Sequence, residues 1–107
     1  MSRERQTFAV VAAVLLVASA ARAQDPAIRG RALLKELCAT CHAIDRLDKS
    51  PRTAAPPFRI LGQGLELDSL TERLREGLSS SHRDMPEFRF NEDDANAVVS
   101  YLRTIQE

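Results

Sequence analysis

At 107 residues, with 15 basic and 15 acidic side chains, the chain has the length of one small domain and no net charge. This balance excludes the strongly basic surface expected of a nucleic-acid-binding domain. Only two cysteines and two histidines are available for redox or metal chemistry, and there is no tryptophan.

The N-terminus has the layout of a secretory signal peptide. Residues 3–5 are charged, residues 8–21 are an uncharged apolar run, and residues 21–23 place small side chains where signal peptidase cuts. An uncleaved anchor is the less favoured alternative, since a membrane-crossing helix needs about 20 apolar residues. We therefore predict a signal peptide over residues 1–23, a mature domain over residues 24–107, and export to the periplasm.

The first predicted helix begins at Asp25 and Pro26, an acidic cap followed by proline at the first helical position. Apolar residues then recur at helical spacing, and the pattern runs into the segment that contains both cysteines. These apolar residues are Ile28, Leu33, Leu34, Leu37 and Cys41. Gly30 interrupts this pattern. It is either a tolerated surface glycine or the point where a second helix crosses too closely for a side chain.

The segment Cys38-Ala39-Thr40-Cys41-His42 is the C-x-x-C-H pattern of covalent haem attachment. Two thiols about one turn apart can add to the vinyl groups of one porphyrin, and the next residue offers an imidazole to the iron. A redox dithiol or half of a zinc site is the alternative, but no β-α-β pattern accompanies the pair, and His82 is the only other histidine. We predict one covalent haem c, bonded to Cys38 and Cys41, with His42 as an axial iron ligand.

Residues 43–57 lose helical periodicity and form a polar loop, stiffened at its end by Pro56 and Pro57. Such a loop can present a backbone carbonyl to the second ring nitrogen of a haem-ligating histidine, or it can be a simple rigid linker. A short apolar turn is predicted over residues 58–61.

Two more helices are predicted in the second half. Ser69 and Glu72 match a capping box, with Leu67 as the accompanying apolar residue, and the helix ends near Gly77. Asn91 is the predicted cap of the last helix. Its apolar face carries Ala95, Val98, Val99, Leu102 and Ile105, with Tyr101 at the margin. The mature domain is therefore all-α, with three main helices and long loops. A domain this small needs an added staple, which a porphyrin bonded at several points would provide.

The loop between these helices carries the candidates for the second axial ligand. Met85 is the only methionine of the predicted mature chain, and Pro86 restrains its backbone. His82 follows three serines and is the other candidate. A buried methionine alone is more often packing than ligand, but the predicted haem favours Met85 as the ligand opposite His42.

These motifs together resemble those of class I cytochromes c, the small soluble bacterial kind, over residues 26–104. Residues 55–58 are similar to the family's Gly-Pro-x-Leu stretch, residues 85–88 to its distal Met-Pro-x-Phe loop, and residues 98–102 to its C-terminal helix. Ala55 in place of the family's glycine and the lack of tryptophan are two departures.

The resemblance implies a cytochrome c-like fold wrapped around one haem. It implies that the Pro56 carbonyl accepts a hydrogen bond from His42 Nδ1 and that Met85 is the distal ligand. It also implies that the first and last helices cross at Gly30, near Val98 and Tyr101.

The function implied is that of an exported monomeric carrier that cycles one electron through Fe(III) and Fe(II). It would not be an enzyme, would meet redox donors and acceptors transiently at an exposed haem edge, and would have no membrane span after signal cleavage. The alternatives are a haem subunit of a larger dehydrogenase or oxidase complex, and a haem enzyme or gas sensor with a labile distal methionine.

Overall fold

The computed structural model describes residues 25–107, so the predicted signal peptide lies outside the described residues. The elements, in chain order, are helix α1 (Pro26–Leu37), a 3-10 helix (Phe58–Gln63), helix α2 (Leu67–Glu76) and helix α3 (Glu92–Ile105). Within this part of the chain the only β pairing is an isolated antiparallel bridge between Leu78 and Phe88. The prediction of an all-α domain with three main helices is confirmed.

Helix α1 begins as its sequence predicts and ends just before the cysteine motif. Asp25 Oδ1 accepts a hydrogen bond from Ala27 N at 3.0 Å, and Pro26 occupies the first turn. The helix is closed by Cys38 N, which donates to Leu34 O at 2.8 Å. The motif therefore begins at the C-cap of α1, whereas apolar periodicity alone carried the helix as far as Cys41.

Helix α2 begins three residues earlier than the capping-box pattern predicts. Its N-cap is Glu66, whose side chain makes no capping bond, and Ser69 lies within the first turn. The Ser69 hydroxyl donates to Glu66 O at 2.8 Å instead of accepting from the backbone. The capping-box prediction is therefore wrong, because the Ser69 hydroxyl that the pattern assigned to the cap donates its hydrogen bond to a backbone carbonyl.

Helix α3 has the predicted Asn91 cap, whose Oδ1 accepts from Asp94 N at 2.8 Å. It packs against α1, α2 and the 3-10 helix, and it therefore contributes most of the buried cluster. That cluster consists of Leu34, Ile44, Phe58, Leu70, Leu74, Ala95, Val98, Val99, Tyr101, Leu102 and Ile105. Within residues 25–107, no helix combines the length and apolar composition that crossing a membrane requires.

The crossing of α1 and α3 lies at Gly30, as predicted. A Cβ built on Gly30 would lie 2.5 Å from Ala97 C and 2.9 Å from Val98 N, and closer still to Ala97 O. These are backbone atoms, which cannot rotate away. Glycine is therefore required at position 30, because the backbones of the two helices touch there. The contact on α3 lies one turn before Tyr101.

Replacing Gly30 with alanine is expected to destabilise the domain. Helix propensity alone favours alanine by about 1 kcal/mol. Overpacking a rigid contact costs about 1–3 kcal/mol or more, so the clash should prevail. Denaturant titration of Gly30→Ala should show a lower free energy of unfolding than wild type. Gly64→Ala is the control, since a Cβ there meets no atom within 4 Å. A Gly30→Ala protein as stable as wild type would contradict the close crossing.

Candidate functional site

The cysteine motif forms two tight turns directly after α1. Cys41 N and His42 N both donate to Cys38 O, at 3.1 and 2.9 Å. Both cysteines are unpaired thiols of intermediate burial. Burial, and to a lesser extent the neighbouring Cys41, raises the pKa of Cys38 to about 11. Cys38 is therefore a neutral thiol at ordinary pH, facing a site that excludes much of the solvent.

One ring nitrogen of His42 is committed to the proline loop. His42 Nδ1 lies 2.8 Å from Pro56 O, so that nitrogen carries the proton that it donates to the carbonyl. The imidazole also stacks on Phe58, with ring centroids 4.6 Å apart. Phe58 N donates to Ala43 O at 2.9 Å, which ties the proline loop back to the motif. The ring is thus held in one orientation and one tautomer, with Nε2 free of hydrogen bonds within residues 25–107.

A cavity of about 480 Å³ opens beside this imidazole. It brings together Cys38, Cys41, His42, Pro56 and Met85, and it also includes His82. The remaining lining residues are Leu37, Thr40, Arg52, Ala54, Ala55, Ser80, Asp84, Pro86 and Phe88. Its volume lies within the roughly 300–1,000 Å³ usual for small-molecule sites. Two thiols, an oriented imidazole and a thioether around a largely apolar cavity fit a haem c. Within residues 25–107, no group of three or more His, Cys, Asp and Glu side chains is placed to hold a metal ion.

The loop that carries His82 and Met85 is closed at its base. Gly77, which ends α2, has a φ of 111°, a value that favours glycine over any residue with a Cβ. Leu78 N then donates to Phe88 O at 3.0 Å. Within the loop, Met85 N donates to His82 O at 3.2 Å. The chain therefore leaves α2, passes along the cavity wall and returns to its starting point.

The loop after His42 is fixed by its own side chains. Asp48 accepts from Ile44 N at 3.1 Å and from Asp45 N at 3.0 Å through its two carboxylate oxygens. Ser50 Oγ accepts from Ala43 N at 3.0 Å. The segment predicted as a polar loop is thus a structured one, and its backbone holds His42 in register.

Sequence analysis missed a polar network that anchors this loop to the helices. Tyr101, predicted at the margin of α3, is buried, and its hydroxyl lies 2.8 Å from Ile44 O and 2.6 Å from Asp45 Oδ1. Arg31 of α1 donates to both oxygens of Asp45 at 2.9 Å, the paired geometry that suits a guanidinium. The three residues are far apart in sequence, and no local pattern links them.

The network changes the ionisation of its members. The hydrogen bonds from Arg31 and then from Tyr101 lower the pKa of Asp45, which is therefore ionised at neutral pH. Burial, and then the hydrogen bond to ionised Asp45, raises the pKa of Tyr101 to about 12. The phenol is held neutral because its proton bonds to an anion.

This shift predicts a pH dependence that a single chromophore reports. Tyr101 is the only tyrosine, so the phenolate absorbance near 295 nm titrates it alone. We expect a midpoint near pH 12 instead of the usual phenol pKa of 10.0. Because the folded-state pKa is raised, the contribution of Tyr101 to stability is complete below pH 10 and is lost as pH rises through about 12.

Asp45→Asn is the variant that tests the cause of the shift. It removes the anion while keeping a side-chain oxygen, and it should move the Tyr101 midpoint towards 10. Tyr101→Phe should abolish the signal and serves as the baseline. A wild-type midpoint near 10 would mean that the hydroxyl is not held by Asp45.

Comparison with known proteins gives one match. A family model described as "Cytochrome C oxidase, cbb3-type, subunit III" matches residues 25–102, which is most of the chain and includes every residue of the cavity. No match was found among curated proteins or among solved structures.

Proposed function

This chain belongs to the family of c-type cytochrome domains described as cbb3-type cytochrome c oxidase subunit III, and on that premise we propose that it is an exported single-electron carrier. Its cofactor is a covalently bound haem c with its iron, and a domain of this kind carries out haem-based electron transfer. When bound, the haem supplies a one-electron change between Fe(III) and Fe(II).

Four residues that line the cavity would bind the haem. Cys38 and Cys41 would hold the haem through two thioether bonds, and His42 Nε2 and Met85 Sδ would be the donors to its iron. One observation supports this role above all. A single cavity gathers these four side chains, and Pro56 O accepts a hydrogen bond from His42 Nδ1. Because that carbonyl fixes the tautomer, the Nε2 lone pair faces no competing proton.

Two protein donors also favour a carrier over an enzyme. With His42 and Met85 both bound to the iron, no position would be left for dioxygen or peroxide to bind. The family itself is one of electron carriers. The remaining task of the protein is to keep the site dry and its ligands fixed, so that little reorganises when the charge of the iron changes.

Partner contact is proposed at the exposed side of the cavity. Thr40, Arg52, Ala54, Ser80 and His82 line the cavity and are also exposed to solvent, so electrons can cross a short distance there. Redox donors and acceptors would meet this patch transiently, as is usual for small electron-transfer interfaces. The proposed periplasmic location rests on the sequence of residues 1–23 and on the need for thiols to be kept available for haem attachment outside the cytoplasm.

A second candidate is a fixed subunit of an oxidase complex, which the words of the family description favour. A carrier and a subunit differ in how long they stay with a partner. Size-exclusion chromatography of a gently solubilised native extract separates them, since a carrier elutes alone at about its own mass and a subunit elutes with the complex.

The carrier function is tested on the haem-loaded wild-type protein. One equivalent of a one-electron oxidant should convert the ferrous spectrum fully to the ferric one. Carbon monoxide should leave the ferrous spectrum unchanged, because Met85 occupies the position that it would need. Rapid carbon monoxide binding would instead indicate a gas-binding or catalytic haem, and the carrier proposal would fail.

A further inference from the structure

Few contacts hold the distal loop, residues 79–87, to the rest of the described chain. Its base is closed by the Leu78–Phe88 bridge, and its internal hydrogen bonds are local. Within residues 25–107, one polar contact joins this loop to the proximal side of the cavity: Arg52 Nη1 lies 3.3 Å from Asp84 Oδ2. Asp84 immediately precedes Met85, so this ion pair acts at the position where the loop presents its sulfur.

Arg52 is itself anchored to the haem-attachment motif. Its backbone nitrogen donates to Cys41 O at 3.1 Å, and its carbonyl accepts from Ala55 N at 3.0 Å. Both Arg52 and Asp84 line the cavity. A continuous set of contacts therefore runs from Cys41, through Arg52 and Asp84, to Met85.

We propose that Arg52 and Asp84 are positioning residues that hold Met85 over the cavity and so limit the access of competing small ligands to the iron. The inference rests on the proposed ligation by Met85 and names the residues that keep that ligand in place. A thioether is a weak donor, and the loop that carries it is tied to the rest of the described chain at its base and through this one ion pair. The time for which the Met85 sulfur stays on the iron therefore depends on the contacts that restrain the tip of the loop.

The size of the effect follows from the exposure of the pair. The Arg52 and Asp84 side chains are 44% and 62% exposed, so solvent and salt screen their attraction. Exposed pairs of this kind change an equilibrium by about two- to five-fold. The ion pair should therefore adjust ligand access without deciding whether the domain folds.

The test measures imidazole binding to the mature, haem-loaded protein in its oxidised form. Binding is monitored by loss of the far-red absorption band that marks sulfur–iron ligation. Arg52→Gln and Asp84→Asn should each bind imidazole about two- to five-fold more tightly than wild type. The double variant should match the single ones, because either change alone breaks the pair. Arg52→Lys should retain most of the wild-type behaviour.

Two controls separate the ion pair from a general change of charge. Arg83→Gln removes the adjacent cation of the same loop, which forms no ion pair with any residue of the described chain, and it should leave imidazole affinity unchanged. Raising the salt concentration should increase imidazole affinity in wild type and not in Arg52→Gln, since only wild type has an attraction to screen.

The outcomes distinguish this inference from the function on which it rests. A wild-type protein without the far-red band overturns Met85 ligation and the positioning role together. A normal band with unchanged imidazole affinity in both single variants overturns the positioning role alone. Effects that simply add in the double variant show that Arg52 and Asp84 act separately, which also overturns the pairing.

Discussion

A variant in which Cys38 and Cys41 are both replaced by alanine should lose cooperative unfolding when it is produced without haem attachment. The structure gives the reason. Helix α3 packs on α1 and on α2, but no extensive contact joins α1 to α2 within residues 25–107, and a cavity of about 480 Å³ lies beside the core. Without haem, the apolar wall of that cavity, including Leu37 and Phe88, would face water.

Circular dichroism during heating measures this loss. The haem-free double variant should show a broad, shallow change, whereas haem-loaded wild type should show one sharp transition. Thr40→Ala is the matched control, because Thr40 lies between the two cysteines and lines the cavity but is not one of the residues proposed to hold the haem. It should keep both haem and a sharp transition. A sharp transition in the haem-free variant would show that the polypeptide folds without the porphyrin.

Loss of Met85 should produce the largest change in redox behaviour. Met85→Ala should lose the far-red sulfur–iron band, lower the reduction potential and allow carbon monoxide to bind the ferrous protein. The potential falls because a methionine and histidine pair holds the reduced state better than other protein donor sets or water. Absorption spectra, a potentiometric titration and a carbon monoxide titration measure the three effects.

His82→Ala is the internal control, because His82 lies on the same loop and lines the same cavity. It should leave the band, the potential and the resistance to carbon monoxide nearly unchanged. If His82→Ala abolishes low-spin coordination while Met85→Ala does not, the iron is held by two histidines. In that case Arg52 and Asp84 would position a different ligand.

Short-range sequence signals predicted the helices well where the partners are local. Asp25 and Asn91 cap their helices as predicted, because a cap bonds only to the backbone two or three residues ahead. Ser69 departs from its predicted capping role for a related reason. A hydroxyl both donates and accepts, and nothing in the pattern shows that the Glu66 carbonyl will take its proton.

Contacts between distant residues explain what the sequence could not show. Gly30 was predicted at a helix crossing, yet only the structure shows that backbone meets backbone there. The bond from Tyr101 to Asp45 spans 56 positions, so Asp45 resembled an ordinary loop charge. The ion pair of Arg52 with Asp84 is similar, since each residue sits among other exposed polar side chains and only the fold brings the two together.

The crossing of α1 with α3 also has a consequence for how the protein is made. It joins the first and last helices, and its ion pair of Arg29 with Asp94 spans 65 positions. Helix α3 is the last of the three described helices to be synthesised, so the pair cannot form until the chain has been made as far as Asp94. Until then Cys38, which packs against the core that α3 completes, lacks that cover. The nascent chain therefore keeps its thiols accessible until helix α3 has been made, and the domain closes only after that.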